Sequence, residues 1–328
     1  MSKVKWGVLG TAGIAEGCTI PGMMEAGNCE LYAIAGRNPE KVQAFQDKFG
    51  FEKAYGSYEE LLADPLVQAV YIPLPNTLHY EWVMKAMEAG KHVLCEKPLA
   101  PSAQQAEELI AAAQKNGVFL MEAFAYLHSP LTKAVKEELE RGTIGEILYM
   151  ESAFITSDYN MKNIRMRKET LGGCTYDLGC YNTSQILWML GEEPEKVQAV
   201  SDFSEQGIDV FTTGLLTFSG GKRASFQCGM VLKTDADKRI DRFQIHGTGG
   251  SIRSDAEFNQ KGTLEYVICT KNGEAVKKVE VPHNYRLEVE QLGRCITDGE
   301  TPWVTNEFTM KNARTLDRIL EVIGYDGK

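Results

Sequence analysis

The feature that most constrains this chain lies at its start. Residues 5–9 (KWGVL) read as a short apolar strand that runs straight into Gly10-Thr11-Ala12-Gly13-Ile14-Ala15. A strand that breaks at a glycine turn and resumes as a helix is the setting in which dinucleotide phosphates are held. Gly10 permits the tight turn. The next fingerprint position, Ala12 here in place of glycine, governs how closely backbone approaches a pyrophosphate, and Ala15 lets helix and strand pack together. The helix start adds unpaired N–H groups and a partial positive charge. The whole run, with Thr11, Gly13 and Ile14, is the candidate phosphate loop.

Beyond this loop the chain repeats the same grammar. Apolar strand patterns at 29–35, 69–73, 92–95 and 118–122 alternate with helical ones. Leu78, Trp82, Ala86 and Ala89 share one helix face; Ala106, Leu109, Ile110 and Ala113 share another. Ser102 with Gln105 resembles a capping box, and Asn116-Gly117 supplies a stop. Residues 1–123 are therefore expected to form a doubly wound parallel sheet of Rossmann type. Beyond residue 124 the pattern changes. A helix is expected over 130–141, a strand over 149–155, a polar loop over 157–170, and a helix over 176–190 entered through Gly172-Gly173. From 196 to 281 the period is mostly two, as where Ala224, Phe226, Cys228 and Met230 alternate with polar or small residues, with turns at Gly220-Gly221, Gly249-Gly250 and Asn272-Gly273. Residues 124–328 should thus form an α+β domain on a large, open, mostly antiparallel sheet with one wet face. Helices at 285–297 and 306–323 close the chain, the last a candidate to pack back on the first domain.

Composition narrows the function. A length of 328 residues exceeds what one core usually serves, which favours two domains. The net charge of −10, without a basic block, argues against nucleic acid. Lys277-Lys278 lies between Val276 and Val279 and reads as the wet side of a strand. No apolar run reaches the roughly 20 residues of a membrane span, and the first residues lack a signal-peptide core, so a cytoplasmic location with no membrane partner is expected. The eight cysteines form no C-x-x-C pair and the five histidines show no ligand spacing, so neither disulfides nor a metal are expected.

The end of the second strand reports on the cofactor. An acid there would accept from a ribose 2′-hydroxyl. The chain has Gly36-Arg37-Asn38 instead, and Arg37 can pair with a 2′-phosphate and stack on adenine. NADP(H) is therefore expected over NAD(H), with NAD(H) still open. For the chemistry, Lys97 follows the strand at 92–95, at the carboxyl edge where ligands of such sheets bind. Hydride transfer from an alcohol needs a group that holds the oxygen and takes its proton. Asp177 and Tyr181, four apart on a helical pattern, share a face; Tyr181 can exchange a proton with the substrate oxygen while Asp177 orients hydroxyls. A surface lysine and an ordinary amphipathic helix are the bland alternatives.

At these residues the chain resembles the Gfo/Idh/MocA oxidoreductases, and among them the group of dimeric dihydrodiol dehydrogenases and NADP-dependent D-xylose dehydrogenases. The resemblance is carried by Trp6-Gly7-Val8-Leu9-Gly10-Thr11-Ala12-Gly13-Ile14-Ala15, Tyr71-Ile72-Pro73-Leu74-Pro75-Asn76-Thr77-Leu78-His79-Tyr80, Gly90-Lys91-His92-Val93-Leu94-Cys95-Glu96-Lys97-Pro98 and Gly172-Gly173-Cys174-Thr175-Tyr176-Asp177-Leu178-Gly179-Cys180-Tyr181. It implies Lys97, Asp177 and Tyr181 at the catalytic centre. It implies Pro73, Leu74, Pro75, Asn76, His79, Glu96 and Lys97 beside the cofactor, and Arg165 with Asp177 and Tyr181 beside substrate. It also implies a homodimer or higher homo-oligomer built on the outer face of the C-terminal sheet. Phe124-Ala125-Tyr126-Leu127-His128 lacks the Trp and Arg of the FWTRF-like stretch in that group, on the side that shapes substrate choice. The resulting reading is an NADP(H)-dependent dehydrogenase or reductase of a pyranose sugar, a sugar derivative or a vicinal diol. Two other readings are a redox glycosidase that keeps its cofactor and a non-catalytic NADP-binding sensor.

Overall fold

The structure, a computed structural model, describes residues 3–157, 160, 163–232 and 239–326. The chain begins with β1 (Val4–Leu9), then a wide π-type turn (Ala15–Thr19) that runs into α1 (Ile20–Glu25). Then come β2 (Cys29–Ala35), α2 (Pro39–Phe49), β3 (Lys53–Tyr55), α3 (Tyr58–Ala63), β4 (Ala69–Ile72), α4 (Asn76–Glu88), β5 (His92–Glu96), α5 (Ala103–Asn116) and β6 (Leu120–Ala123). All six strands are parallel, in the order β3-β2-β1-β4-β5-β6. Strand order reverses beside β1, which places the glycine loop at the topological switch point. Val4, Trp6, Val8 and Leu9 are fully buried, as befits a strand covered on both faces. The sequence signals for α5 hold: the Ser102 side chain accepts from the Gln105 N–H, and Gly117 ends the helix at φ 65°. The short edge strand β3 lies outside the sequence expectation because its Lys53 and Ala54 are exposed and carry no periodicity.

The chain continues with α6 (Pro130–Glu140), β7 (Ile147–Thr156), two short 3₁₀ turns (Ile164–Met166 and Lys168–Thr170), a second π-type turn (Thr175–Gly179) and α7 (Cys180–Leu190). The strands β8 (Lys196–Phe203), β9 (Asp209–Thr217), β10 (Arg223–Gly229), β11 (Arg239–Gly247), β12 (Gly250–Ser254), β13 (Gly262–Thr270) and β14 (Gly273–Val281) come next, and α8 (Asn284–Asp298) and α9 (Asn306–Ile323) end it. Eight strands form one sheet in the order β14-β13-β12-β11-β7-β10-β9-β8, antiparallel except where β7 meets β10. Packed against β7 and β10, α7 covers the sheet's inner face. Buried hydrogen bonds from Ser152 to Gln185 and from Asn182 to Ser152 fix its seat. Residues 158, 159, 161 and 162 of the expected polar loop lie outside the described residues.

Two compact units result: Met1–His128 with Pro282–Thr309, and Ser129–Val281 with Met310–Lys328. This differs from a single boundary at 123/124. The helix α8, expected with the C-terminal domain, belongs to the first unit because its buried face packs on α1. Gly22 of α1 lies so close that a Cβ would sit 2.9 Å from the Tyr285 Cβ, and Asn28 Nδ2 donates to the Glu290 carbonyl at 2.9 Å. Period alone shows that α8 has an apolar face but not which surface it covers. From Met310 onward α9 belongs to the second unit, where Asn312 accepts from the Thr183 hydroxyl at 2.7 Å and Leu320 packs with Leu171, Tyr176 and Tyr325.

Candidate functional site

In the first unit the site grows from the glycine loop. Gly10 has φ +123°, a region open to glycine, and a Cβ there would meet Leu74 at 3.1 Å. The Gly10 N–H donates to the Ala35 carbonyl at 2.9 Å, pinning the turn to β2. Nothing lies within 4 Å of where a Cβ of Gly13 would be, so the loop presents an open backbone cradle at the helix start. Ala15 is fully buried, as close helix–strand packing requires. At the end of β2, Arg37 is exposed with no acid in the Gly36-Arg37-Asn38 turn, and the Asn38 side chain caps α2 by accepting from the Lys41 N–H. These are the features that a dinucleotide with a 2′-phosphate requires. Tyr58 adds to them without a sequence signal: its hydroxyl neighbours both Arg37 and Gly10, and burial pushes its pKa up against the pull of Arg37.

The loops after β4 and β5 are tied together by one buried side chain. His79 is fully buried, with Nε2 2.7 Å from the Leu74 carbonyl and Nδ1 2.8 Å from the Pro98 carbonyl. It thus links the turn of Pro73, Leu74, Pro75 and Asn76 to the turn that carries Lys97. Burial pushes its pKa below the usual histidine range, offset in part by the two carbonyl acceptors, and the Lys97 charge pushes it the same way as burial. Lys97 itself is half-buried at the carboxyl end of β5. Glu96, just before it, accepts from the Tyr71 hydroxyl at 2.6 Å, and Tyr71 accepts from Thr19 at 2.9 Å. Through Tyr71, therefore, the wide turn after the glycine loop is bonded to Glu96, the last residue of β5, which Lys97 follows. Such π-type turns recur at functional sites because they re-aim the groups they carry. Glu122, at the end of β6, is buried and accepts from the Leu99 N–H at 2.9 Å.

In the second unit the structure brings Arg165 and Asp177 together. Arg165 Nε donates to Asp177 Oδ2 at 2.6 Å. The two glycines at the motif's entry make this possible. A Cβ on Gly172 would fall 2.3 Å from the Arg165 carbonyl oxygen, and one on Gly173 (φ +117°) 1.9 Å from Asp209. Glycine at both positions lets the backbone of Arg165 lie against the motif, where the Gly173 N–H donates to the Arg165 carbonyl at 2.8 Å. Buried Asp209 accepts from the Thr175 N–H at 2.7 Å and from the Cys174 thiol at 3.1 Å, so it holds the turn on which Asp177 rides. Tyr325 donates to the Gly172 carbonyl at 2.7 Å from the other side. The second π-type turn contains Asp177 and leads into α7, where the Tyr181 ring packs against Phe154 and Phe258 at centroid distances of 5.4 and 5.1 Å. Arg239 stacks over Phe154 at 4.5 Å and pairs with Asp241 at 2.7 Å. Sequence reading gave no role to Asp209, to Arg239 or to the Tyr71 hydroxyl. Local pattern gives no signal for the Asp209–Thr175 and Tyr71–Glu96 bonds or for Arg239 over Phe154, whose two ends lie far apart along the chain. Among the described residues no group of three His, Cys, Asp or Glu side chains forms a metal site, and no helix is long and apolar enough to cross a membrane.

Comparison with known proteins bears on this geometry. The profile for the oxidoreductase family with an NAD-binding Rossmann fold, GFO_IDH_MocA, matches residues 4–124, and that for the GFO/IDH/MocA C-terminal domain matches residues 132–253. The NADP(+)-linked D-xylose 1-dehydrogenase 2 of Haloferax volcanii is 35% identical over 320 residues, 96% of either chain. The trans-1,2-dihydrobenzene-1,2-diol dehydrogenase of Xenopus laevis is 31% identical over 335 residues, 98% of either chain. A solved 3-ketoreductase from Actinomadura kijaniata, in complex with NADP and TDP-benzene, superposes with a TM-score of 0.91 over 98% of either chain at 29% identity.

Proposed function

The chain belongs to the Gfo/Idh/MocA oxidoreductase family, and from that premise we propose that it transfers hydride between NADP(H) and a hydroxyl or carbonyl carbon of a pyranose sugar, a sugar derivative or a vicinal diol. Bound NADP(H) supplies or accepts the hydride. Gly10 to Ala15 hold the pyrophosphate on backbone N–H groups at the helix start, and Arg37 pairs with the 2′-phosphate. Lys97 holds the reacting oxygen and stabilises the charge that develops on it. Tyr181 exchanges the proton of that oxygen. Asp177, steadied by Arg165, orients the neighbouring hydroxyls of the substrate.

The observation that carries this reading is the position of Lys97. It stands at the carboxyl end of β5, in a turn that His79 bonds to the Leu74 turn. Support also comes from the 3-ketoreductase structures, which include replacements of one lysine and one tyrosine. Those two residues are separated along that chain by the same interval as Lys97 and Tyr181 here. We further propose a homo-oligomer formed through the open face of the eight-stranded sheet, where Val200, Leu215 and Val276 stand exposed on the side away from α7.

The test is a panel of aldoses, inositols, glycosides and trans-diols, followed by NADPH absorbance with NAD as control. Net NADPH formation that disappears in Lys97→Met, with NADPH binding retained, supports the assignment. Glycoside cleavage without net NADPH formation, or full turnover in Lys97→Met, overturns it.

A further inference from the structure

The Pro98–Leu99 peptide, one residue beyond Lys97, is gripped at both ends by buried ionisable side chains. Its carbonyl lies 2.8 Å from His79 Nδ1, and its N–H donates to Glu122 Oε1 at 2.9 Å. A neutral imidazole donates from one ring nitrogen; in the tautomer with the proton on Nδ1 the peptide lies between a donor and a carboxylate acceptor, is polarised in one direction, and each bond strengthens the other. Glu122 reaches it from the end of β6, where it is paired in register with Cys95 of β5. The second Glu122 oxygen is buried and makes no hydrogen bond within the usual limits. A carboxylate buried in this way is costly unless nearby charge supports it. The charged and titratable groups facing it are Lys97 and Glu96 at the end of β5 and the Cys95 thiol beneath them, with His79 across the shared peptide and the Thr309 hydroxyl alongside.

We propose, resting on the role given above to Lys97, that Glu122 is a positioning residue for that lysine. It acts with His79 through the Pro98–Leu99 peptide, so that the placement and charge of Lys97 follow the charge on the Glu122 carboxyl. Burial pushes the Glu122 pKa up to about 7, with the Glu96 charge adding to it, while the Leu99 N–H, the Thr309 hydroxyl and the Lys97 charge pull it down. The carboxyl therefore changes charge near neutral pH. Ionised, it favours the ammonium form of Lys97 and draws the Leu99 N–H tight. Protonated, it releases both.

The test reads Lys97 directly. Full-length protein is trace-labelled with a small amine-reactive anhydride from pH 5.5 to 9.5, and the extent is read from the mass of the peptide carrying Lys97. The wild-type curve should show two steps, the lower one near the Glu122 ionisation. In Glu122→Gln, whose amide oxygen still accepts from Leu99, the lower step should vanish. Labelling at pH 8 should also rise about threefold to tenfold, because loss of a neighbouring negative charge lowers the lysine pKa by roughly half a unit to one unit. Where a substrate is in hand, kcat should lose the same ionisation while NADPH affinity holds within about twofold, the signature of a group that acts on turnover. Superimposable labelling curves for the two proteins overturn the proposal. A single-step curve in the wild type does so without any variant. If no substrate of the panel is turned over, the labelling curves still decide the role of Glu122, and that failure falls on the proposed activity alone.

Discussion

Glu122 also makes a quantitative prediction about stability. Its carboxyl is fully buried, so its pKa rises from an ordinary value near 4.5 to about 7 on folding. A folded-state pKa above the unfolded one means that the native state holds the proton more tightly. The stability this contributes is fully present below about pH 4.5 and is lost as pH rises through about 7. With each pKa unit equivalent to about 1.4 kcal/mol, burying this carboxyl costs the fold about 3.4 kcal/mol at pH 8.5 and about 1.4 kcal/mol at pH 5.5, relative to acid pH. Glu122→Gln carries no such ionisation. Whatever constant cost the amide brings, the stability of the variant relative to wild type should improve by about 2 kcal/mol between pH 5.5 and pH 8.5. Urea unfolding of both proteins at the two pH values, with midpoints and slopes compared, measures it. A difference between variant and wild type that is the same at both pH values would refute the reasoning, because it would place the Glu122 carboxyl in contact with solvent.

The same geometry carries other expectations. Arg37→Ala should weaken NADPH binding by about tenfold to a hundredfold, the worth of hydrogen bonds to a charged phosphate, and leave NADH binding nearly unchanged in parallel fluorescence titrations. In Gly172→Ala the new methyl meets the Arg165 backbone, which cannot yield as a side-chain tip would. The clash should cost about 1–3 kcal/mol and part Arg165 from Asp177, seen as a fall in kcat with NADPH affinity retained. Tyr71→Phe removes the hydroxyl that joins Thr19 to Glu96 and should lower unfolding free energy by about 1–3 kcal/mol; an unchanged urea midpoint would show that the link bears no strain.

Much of the candidate site is legible in the sequence because it sits where secondary structure changes. The glycine turn after β1, the Glu96-Lys97-Pro98 turn after β5 and the Gly172-Gly173 entry to the second π-type turn are local breaks in periodicity. Each is marked by residues whose backbone preferences are strong and short-ranged. The strand β2 and the helix α9 match their expected limits residue for residue, since an apolar pattern bounded by turn residues leaves little freedom. Other facts have no such signature. That α8 belongs to the first unit depends on which surface covers its apolar face, and Gly22 provides the room for it.

The sequence by itself thus marked the glycine loop, the lysine at the carboxyl edge and the acid and tyrosine four residues apart as candidates. Tertiary structure alone decided what holds them. His79 and Glu122 grip the same peptide, Tyr71 joins Thr19 to Glu96, and Asp209 fixes the turn beneath Asp177. The physical reason is range. Turns and caps are fixed by neighbours along the chain, whereas a buried hydrogen bond between strands far apart in sequence exists only once the packing that excludes water has brought its two ends together.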